Sequence, residues 1–358
     1  MRKMNKVMAV ALSFVLVGTL AACGGTGSET TVSTTTGANT TTEGDETGAA
    51  EGSLKTGYSI VTKIGSSKDA GDEEGLGQVD STVIAVLVDA DGKLVDIEID
   101  AAQTKVNFDN TGKVTTDLTT EYKTKVELGD EYGMKGKSGI DKEWYEQMDS
   151  LEELVIGKTS DEVAAMEMED GKLVDATSSV TVTATGYITG IEAAMKNAQD
   201  LGAQAGDTIK LGIETTIGGS HDVGANERTP DAGKVEAYSF YSVLSVDAAG
   251  KITSAILDAS QGTVAFDASG KITSDLEAAQ ASKNELGDDY NMKGNSGIGK
   301  EWNEQAAFFA ESLKGKTVSD VNGIALDDGG HVTDADLLSG VTVHVNEMIS
   351  VVNNALTR

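Results

Sequence analysis

The segment ELGDEYGMKGKSGIDKEWYEQ at residues 127–147 returns at residues 285–305 as ELGDDYNMKGNSGIGKEWNEQ. Sixteen of the twenty-one positions are identical, at an offset of 158 residues. This offset is far longer than a solenoid repeat and matches the size of a whole domain. The chain is therefore predicted to contain two tandem copies of one fold, over residues 53–204 and 205–358, with the boundary within residues 202–207.

Each copy carries two D-x-x-G-K strings, which suit a type I turn closed by a left-handed glycine in a β-hairpin. The strings begin at Asp89, Asp109, Asp247 and Asp267. Apolar and β-branched runs at residues 82–88, 94–99 and 238–246 favour strands beside them. Helical patterns follow at residues 117–128 and 275–286, at 142–155 and 300–313, and at the end of each copy. The predicted fold class is α+β, with an antiparallel, hairpin-rich sheet and a few helices in each copy.

The N-terminus has the pattern of an export signal. Three basic residues at positions 2, 3 and 6 precede an apolar run over residues 7–20, and Leu20-Ala-Ala-Cys23 closes it. The pattern resembles a bacterial lipoprotein signal, in which residues 1–22 are removed and Cys23 becomes the lipidated first residue. A diacylglyceryl group and an amide-linked chain then supply the two anchors that stable membrane attachment needs. An ordinary secretory signal with an incidental cysteine remains the alternative.

Residues 23–52 are predicted to be the lipidated cysteine and a disordered tether. The segment consists mostly of Gly, Ser, Thr, Glu and Ala with no large apolar side chain, so it cannot bury enough surface to offset the entropy of ordering. Its average reach is about 30 Å for a flexible chain of this length. The folded part would thus stand off the extracytoplasmic face of the membrane, in the wall region.

The chain is strongly acidic, with a formal net charge of −30 that becomes −33 once the three basic residues of the signal are removed. Such a field argues against nucleic acid and against adsorption on anionic lipid. It favours solubility or a basic partner, and a plain solvated surface explains it equally well. Because Cys23 is the only cysteine, disulfides within the chain and cysteine-based metal or nucleophile sites are excluded. The three histidines are scattered and predict no metal site.

A second repeated string, D-x-x-S-(small)-V-T, occurs at residues 175–181 and 336–342. Each occurrence follows a hairpin turn and a short strand and precedes an amphipathic run. The last threonine of each string, Thr181 or Thr342, is therefore predicted to lie at a strand-to-helix passage. A plain β-strand rich in β-branched residues is the alternative. The presence of the same string at corresponding points of two diverged copies favours a functional role.

These strings resemble the flavinylation motif of the FMN-binding domain family, D-x-x-S-G-A-T followed two residues later by Thr or Ser and then by a helix. The first copy supplies Asp175, Ser178, Ser179, Val180, Thr181 and Thr183, and the second supplies Asp336, Ser339, Gly340, Val341, Thr342 and His344. The resemblance implies that a flavin transferase uses FAD to attach FMN to Thr181 and Thr342 through phosphoester bonds. Two covalent FMN groups are thus expected.

The residue types suit that chemistry. The threonine hydroxyl must be accessible to a second enzyme, and the downstream helix N-terminus offers free N–H groups and a positive dipole end to a phosphate. Ser178 and Ser339 can add hydroxyl donors, and Asp175 or Asp336 can order the turn. A small residue such as Gly340 lets the ligand lie close to the backbone.

The repeated Met-Lys-Gly segments are the second candidate part of the site. We expect Met134, Lys135 and Gly136, with their counterparts Met292, Lys293 and Gly294, to line the flavin ring. Methionine offers a polarizable surface, lysine can stabilise the negative charge of a reduced flavin, and glycine permits close approach. A structural turn that caps the helices of Trp144 and Trp302 explains the repetition equally well.

The resemblance implies a cell-surface lipoprotein that relays electrons from a membrane oxidoreductase or quinone-linked donor to extracellular acceptors. It would be similar to the surface lipoproteins of flavin-based extracellular electron transfer in Gram-positive bacteria. The alternative is a non-redox ligand-binding or adhesive surface lipoprotein, which the export signal and the acidic charge suit equally well.

Overall fold

The computed structural model describes residues 52–358, which belong to one compact unit. The signal peptide predicted at residues 1–22, the lipidation site Cys23 and the tether up to residue 51 lie outside the described residues. The division into two domains at residues 202–207 stays a prediction.

Each half contains a three-stranded antiparallel sheet with its strands in sequence order. The first sheet is formed by β1 (Lys55–Lys63), β2 (Gly75–Val88) and β3 (Leu94–Phe108). A two-stranded ribbon follows, made of β4 (Met168–Glu169) and β5 (Lys172–Leu173). The second sheet is formed by β6 (Thr208–Thr216), β7 (Gly233–Val246) and β8 (Ile252–Phe266). The mixed α+β class with antiparallel sheets is confirmed.

The helices follow the sheets in the same order in both halves. The first half has α1 (Lys125–Leu128), α2 (Trp144–Val155), α3 (Ser160–Ala164) and α4 (Thr185–Lys196). The second has α5 (Lys283–Leu286), α6 (Trp302–Ser312), α7 (Val318–Asn322), α8 (Ala335–Leu338) and α9 (Asn346–Thr357). Among residues 52–358, none of these helices has the length and apolar character needed to cross a bilayer.

The D-x-x-G-K strings form the predicted turns. In the first, the backbone N–H of Asp89 donates to the carbonyl of Lys93 over 2.9 Å, and Gly92 has a φ of 76°. The Asp89 carboxylate accepts from the backbone N–H groups of Asp91 and Lys93 at 2.9 and 2.8 Å. The aspartate therefore orders the turn and the glycine supplies the left-handed conformation that other residues rarely adopt.

Two predicted helices are much shorter than expected. The patterns at residues 117–128 and 275–286 yield only the four-residue helices α1 and α5. The Asp117 carboxylate accepts from the backbone N–H of Thr119 at 2.9 Å, and this Asx turn competes with helix formation. Thr124 then caps α1 by accepting from the N–H of Glu127, which fixes the late start. The predictions at residues 142–155 and 300–313 agree with α2 and α6.

The two sheets pack against each other and carry their helices on the outer faces. On β2, Ile84 and Val86 face a core formed with α2 and α4, whereas Val83 and Leu87 face the second sheet. The stacked rings of Phe108 and Phe266, with centroids 4.1 Å apart and planes 7° apart, join the ends of the two sheets. The halves therefore share an apolar core.

Glycines bring the last helix of each half close to its sheet. A Cβ on Gly57 would lie 2.1 Å from the carbonyl oxygen of Ala194 in α4, and one on Gly212 would lie 2.3 Å from that of Val351 in α9. Only a glycine allows such an approach. The segments that lead into α4 and α9 are thereby held at fixed positions beside the sheets.

Candidate functional site

A cavity of about 270 Å³ opens in the second half at the start of α9. Thr342, one of the two predicted attachment points, lies on its wall together with Met292. Most of the other residues that line the cavity are aromatic or cationic. The lining residues are Tyr238, Phe240, Lys283, Tyr290, Met292, Trp302, His331, Thr342, Val343, His344 and Glu347.

Thr181 and Thr342 lie in irregular backbone that runs from a turn into a helix. Residues 177–179 and 339–340 form turns, and the next five residues in each half belong to no strand before α4 or α9 begins. The plain β-strand alternative is therefore wrong. The predicted strand-to-helix passage is corrected in one respect. A turn, and not a strand, precedes the valine and threonine that end each string. Neither α4 nor α9 has a side-chain cap at its first turn.

A buried glutamine holds each threonine segment. The side-chain oxygen of Gln305 in α6 accepts from the backbone N–H groups of Thr342 and Val343 at 2.8 and 3.2 Å. Gln147 in α2 accepts from the N–H of Thr181 at 2.7 Å, and both glutamines are fully buried. Sequence reasoning missed this function, although both glutamines end the repeated segment.

The two threonine hydroxyls have different surroundings. The Thr181 hydroxyl donates to the carbonyl of Ser138 at 3.0 Å and lies 3.2 Å from the side-chain oxygen of Gln147. The Thr342 hydroxyl lies 3.2 Å from the side-chain oxygen of Gln305, and Thr342 is one of the residues that line the cavity. The second threonine is thus next to a preformed space.

The Met-Lys-Gly segments are tied to the helices that follow them. The carboxylate of Glu301, at the N-cap of α6, accepts from the backbone N–H groups of Met292 and Lys293, both at 2.8 Å. Glu143 binds Met134 and Lys135 in the same way at 2.8 and 2.9 Å. This geometry agrees with the capping-turn alternative and still leaves the Met292 side chain on the cavity wall.

The other predicted members of these segments point elsewhere. Lys293 and Gly294 are exposed and are not among the residues that line the cavity, whereas Met134 packs against the first core. Lys135 and Gly136 are exposed as well. Of the six predicted residues, the structure brings only Met292 together with a predicted attachment threonine at this cavity.

Gly340 has a packing role that the sequence did not indicate. A Cβ there would lie 2.2 Å from Cδ1 of Phe308, so the ring of Phe308 occupies the space that the missing side chain leaves. In the first half Ser150 stands at the position of Phe308, which leaves room for Ser179 at the position of Gly340. The departure from glycine in the first string is therefore matched by a change in packing.

The remaining motif residues lie at the surface beside the site. Ser178, Ser339, Asp175 and Asp336 are exposed, and the Ser339 hydroxyl donates to the backbone carbonyl of Asp336 at 2.6 Å. The carboxylate that orders the second turn belongs to Asp334, which accepts from the N–H groups of Asp336 and Leu337, both at 3.0 Å. Val180 and Val341 are fully buried and belong to the two cores.

Lys283, like Glu347, is a charged residue of the cavity that sequence reasoning missed. It is 3% exposed, its ammonium donates to the Tyr238 hydroxyl, and it lies over the rings of Tyr238, Tyr290 and Trp302 at 4.5, 4.6 and 4.9 Å. Burial lowers the pKa of Lys283 to about 8, and the negative charge of Asp258 opposes this effect. The signal in the sequence is the lysine at equivalent positions 125 and 283, two residues before the repeated segment.

Two histidines border the cavity. The rings of His331 and His344 meet edge to face with centroids 4.4 Å apart, and Nδ1 of His331 lies 3.2 Å from the Asp327 carboxylate. Within residues 52–358, no group of three or more His, Cys, Asp and Glu side chains is placed to hold a metal ion.

The lining of the cavity fits a flat aromatic ligand. Aromatic walls offer stacking surfaces, Lys283 offers a positive charge on a lining that also contains the carboxylate of Glu347, and Thr342 offers a hydroxyl for a covalent bond. The flavin ring of FMN is flat and aromatic, and the residues present fit it.

Comparisons of the chain with protein-family models, with curated proteins and with solved structures found no match.

Proposed function

We propose that this protein is a cell-surface electron carrier with FMN esterified to Thr342 and to Thr181. The observation that carries the proposal is the position of Thr342 on the wall of a cavity lined by aromatic rings and a buried lysine. The motif resemblance points to this threonine from the sequence alone, independently of any cavity. The proposal is supported because the motif and the cavity indicate the same residue.

The residues of the site have distinct roles in this proposal. Thr342 Oγ forms the bond to the FMN phosphorus, the pyrophosphate bond of FAD breaks, and AMP leaves with the hydroxyl proton passed to solvent or to the transferase. Gln305 fixes the backbone of Thr342, and the aromatic walls with Met292 orient the ring. When bound, FMN supplies one- and two-electron redox chemistry that no amino-acid side chain of the site provides.

The two halves would each be an FMN-binding-type domain. Their shared order of strands and helices, their matching glutamines at positions 147 and 305, and their matching carboxylates at positions 143 and 301 support this assignment. The first site has its hydroxyl engaged by the Ser138 carbonyl, which modification must displace.

Membrane attachment through lipidated Cys23 belongs to the proposal and rests on the sequence pattern of residues 1–23. A membrane oxidoreductase or quinone-linked donor would supply electrons, and extracellular acceptors would take them from accessible flavin edges. The flavin transferase is the required modifying partner.

The same cavity also suits a non-redox function. A surface lipoprotein that captures an aromatic anion without a covalent bond would use Lys283 and the aromatic walls in the same manner. That protein would have no use for the Thr342 hydroxyl as a covalent attachment point. The covalent bond therefore separates the two functions.

The test is mass spectrometry of the protein after co-expression with a flavin transferase, denaturation and desalting. The expected mass increase is two FMN units less two waters, and the denatured protein stays yellow. Thr181→Val and Thr342→Val should each remove one unit. Thr333→Val, at an exposed threonine outside both motif strings, is the matched control and should keep both units. A colourless protein of unmodified mass would contradict the proposal and favour the non-covalent function.

A further inference from the structure

The loop after each Met-Lys-Gly segment has the same three residues, Ser-Gly-Ile, at positions 138–140 and 296–298, but two different backbone conformations. Gly139 lies in the left-handed region with a φ of 77°, whereas Gly297 does not. Glycine adopts either conformation readily, so the peptide group between the serine and the glycine can face either way. One sequence therefore gives two arrangements of this loop.

The arrangement decides what the serine carbonyl binds. In the second half the Ser296 carbonyl accepts from the backbone N–H of Gly299 at 3.1 Å, which closes a turn within the loop. In the first half the Ser138 carbonyl accepts from the hydroxyl of Thr181 at 3.0 Å. We call the loop at residues 138–140 closed, because its carbonyl holds the threonine, and the loop at residues 296–298 open.

The Ser138 carbonyl is the better acceptor for the Thr181 hydroxyl. The side-chain oxygen of Gln147 lies 3.2 Å from this hydroxyl, but it already accepts from two backbone N–H groups at 2.7 and 3.2 Å. An amide oxygen has two lone pairs, so a third bond to it is weak. Gln305 has the same two kinds of donor and the same 3.2 Å distance to the Thr342 hydroxyl. The bond to the loop carbonyl thus distinguishes the first hydroxyl from the second.

The serine side chain is also held differently in the two halves. The Ser296 hydroxyl accepts from the side-chain amide of Gln305 at 3.2 Å, which ties the open loop to α6. The Ser138 hydroxyl donates to the backbone carbonyl of Lys135 at 3.0 Å. Each arrangement has its own set of hydrogen bonds, so the closed and open loops are two distinct states.

We propose that the closed loop makes Thr181 the slower site of flavinylation and that Gly139 is the residue that allows closure. The inference rests on the proposed function. In that reaction Thr181 Oγ bonds to the FMN phosphorus of FAD, AMP leaves, and the hydroxyl proton passes to solvent or to the transferase. A carbonyl is too weak a base to take this proton, so the hydroxyl must leave Ser138 before it reacts.

The first experiment compares the two sites in proteins that keep one attachment threonine each. Thr342→Val reports on Thr181 and Thr181→Val reports on Thr342, each purified unmodified and incubated with a flavin transferase and excess FAD. Mass spectrometry of timed samples gives the rate of FMN addition. We expect Thr342 to be modified about fivefold faster, which corresponds to one typical hydrogen bond. Equal rates, or a faster rate at Thr181, would overturn the inference.

The second experiment changes the glycine. Gly139→Ala in the Thr342→Val background disfavours the left-handed conformation about tenfold and should raise the rate at Thr181 by about threefold or more. Gly297→Ala in the Thr181→Val background is the matched control. Gly297 lies outside the left-handed region, and a Cβ on either glycine would have no neighbour within 4 Å among residues 52–358. The control should leave the rate at Thr342 unchanged. An unchanged rate at Thr181, or an equal rise in both variants, would overturn the inference.

Hydrogen exchange separates a reoriented loop from a loosened one. In an open first loop the N–H of Asp141 would donate to the Ser138 carbonyl, as that of Gly299 donates to Ser296. Gly139→Ala should therefore slow the exchange of the Asp141 N–H, and faster exchange would overturn the role assigned to Gly139. The comparison of the two sites needs no change in the loop, so it holds even if Gly139→Ala does not fold. Absence of FMN at both threonines would overturn the proposed function instead.

Discussion

The side-chain oxygen of Gln305 lies 2.8 Å from the backbone nitrogen of Thr342 and accepts its hydrogen bond. The same oxygen accepts from Val343, and the amide nitrogen of Gln305 donates to the hydroxyl of Ser296 and to the carbonyl of Lys300 at 3.2 and 3.1 Å. One fully buried side chain thus joins the threonine segment to the turn before α6. The hydroxyl that would carry the flavin is positioned by this amide.

Replacement of Gln305 by Leu tests that positioning. Two backbone N–H groups lose their acceptor, and unsatisfied buried donors cost about 1–3 kcal/mol each, so we expect a loss of about 2–6 kcal/mol in the free energy of unfolding. Urea denaturation of the unmodified protein measures this loss. Peptide mapping after co-expression with the transferase should show reduced FMN at Thr342 and full occupancy at Thr181. Gln147→Leu should give the reverse pattern, and equal occupancy in both variants would contradict the role assigned to the glutamines.

The sheets and the main helices could be predicted from the sequence because their signals are local. Alternating apolar residues and D-x-x-G-K turns depend on neighbours in the chain, and the hairpins formed as predicted. The helices predicted from residues 117 and 275 were wrong in extent, since the Asp117 and Asp275 carboxylates bind backbone N–H groups two residues on. The spacing of apolar residues gives little indication that a polar side chain will compete for the backbone N–H groups of a helix.

The candidate site was only partly predictable because its cavity is assembled from distant segments. The motif identified Thr342 and the repeated segment identified Met292, but Tyr238 and Lys283 come from elements 104 and 59 residues earlier than Thr342. No local sequence pattern predicts that a lysine at the start of a four-residue helix will be buried among aromatic rings. That information lies in the tertiary packing.

The packing of Gly340 gives a second test. Gly340→Ala should cost about 1–3 kcal/mol in the free energy of unfolding, because the new Cβ would overlap the ring of Phe308. Denaturant unfolding of Gly340→Ala, Phe308→Ala and the double variant forms a cycle, and we expect the double variant to be more stable than the two single losses predict. Ser179→Ala is the matched change in the first half, where Ser150 leaves room, and should cost less than about 0.5 kcal/mol. If the losses in the cycle are additive, contact with Phe308 is not the cause of the destabilisation by Gly340→Ala.

A hydrogen bond between the two halves gives a third test. The Tyr58 hydroxyl donates to the Asp258 carboxylate and accepts from the side-chain amide of Asn284, both at 3.0 Å. Because burial raises the pKa of Asp258 to about 6, its carboxylate depends on such donors at neutral pH. Tyr58→Phe should lower the free energy of unfolding by about 1–3 kcal/mol at pH 7.

The matched control is Tyr145→Phe, which removes a hydroxyl bonded to Asp130 near the surface and should cost less than about 0.5 kcal/mol. Thermal and urea unfolding of both variants give the comparison. A similar small loss in both would show that the bond between the halves adds little.

The ionisation of Lys283 predicts a pH dependence of stability in the unmodified protein. Its pKa is lowered from 10.5 to about 8 on folding, so between these values the unfolded chain binds more protons than the folded one. Stability from this group therefore rises with pH across that window and is constant below it.

In Lys283→Met this contribution is absent, so the free energy of unfolding of the original protein minus that of the variant should increase by up to about 3 kcal/mol from pH 7.5 to pH 10.5. Ionisation of Tyr238 and Tyr290 affects both proteins and largely cancels in the difference. Urea denaturation at several pH values measures it, with the exposed Lys293→Met as the control for loss of a lysine. A difference that stays level or falls with pH would show that Lys283 is not held as a buried ammonium beside the cavity.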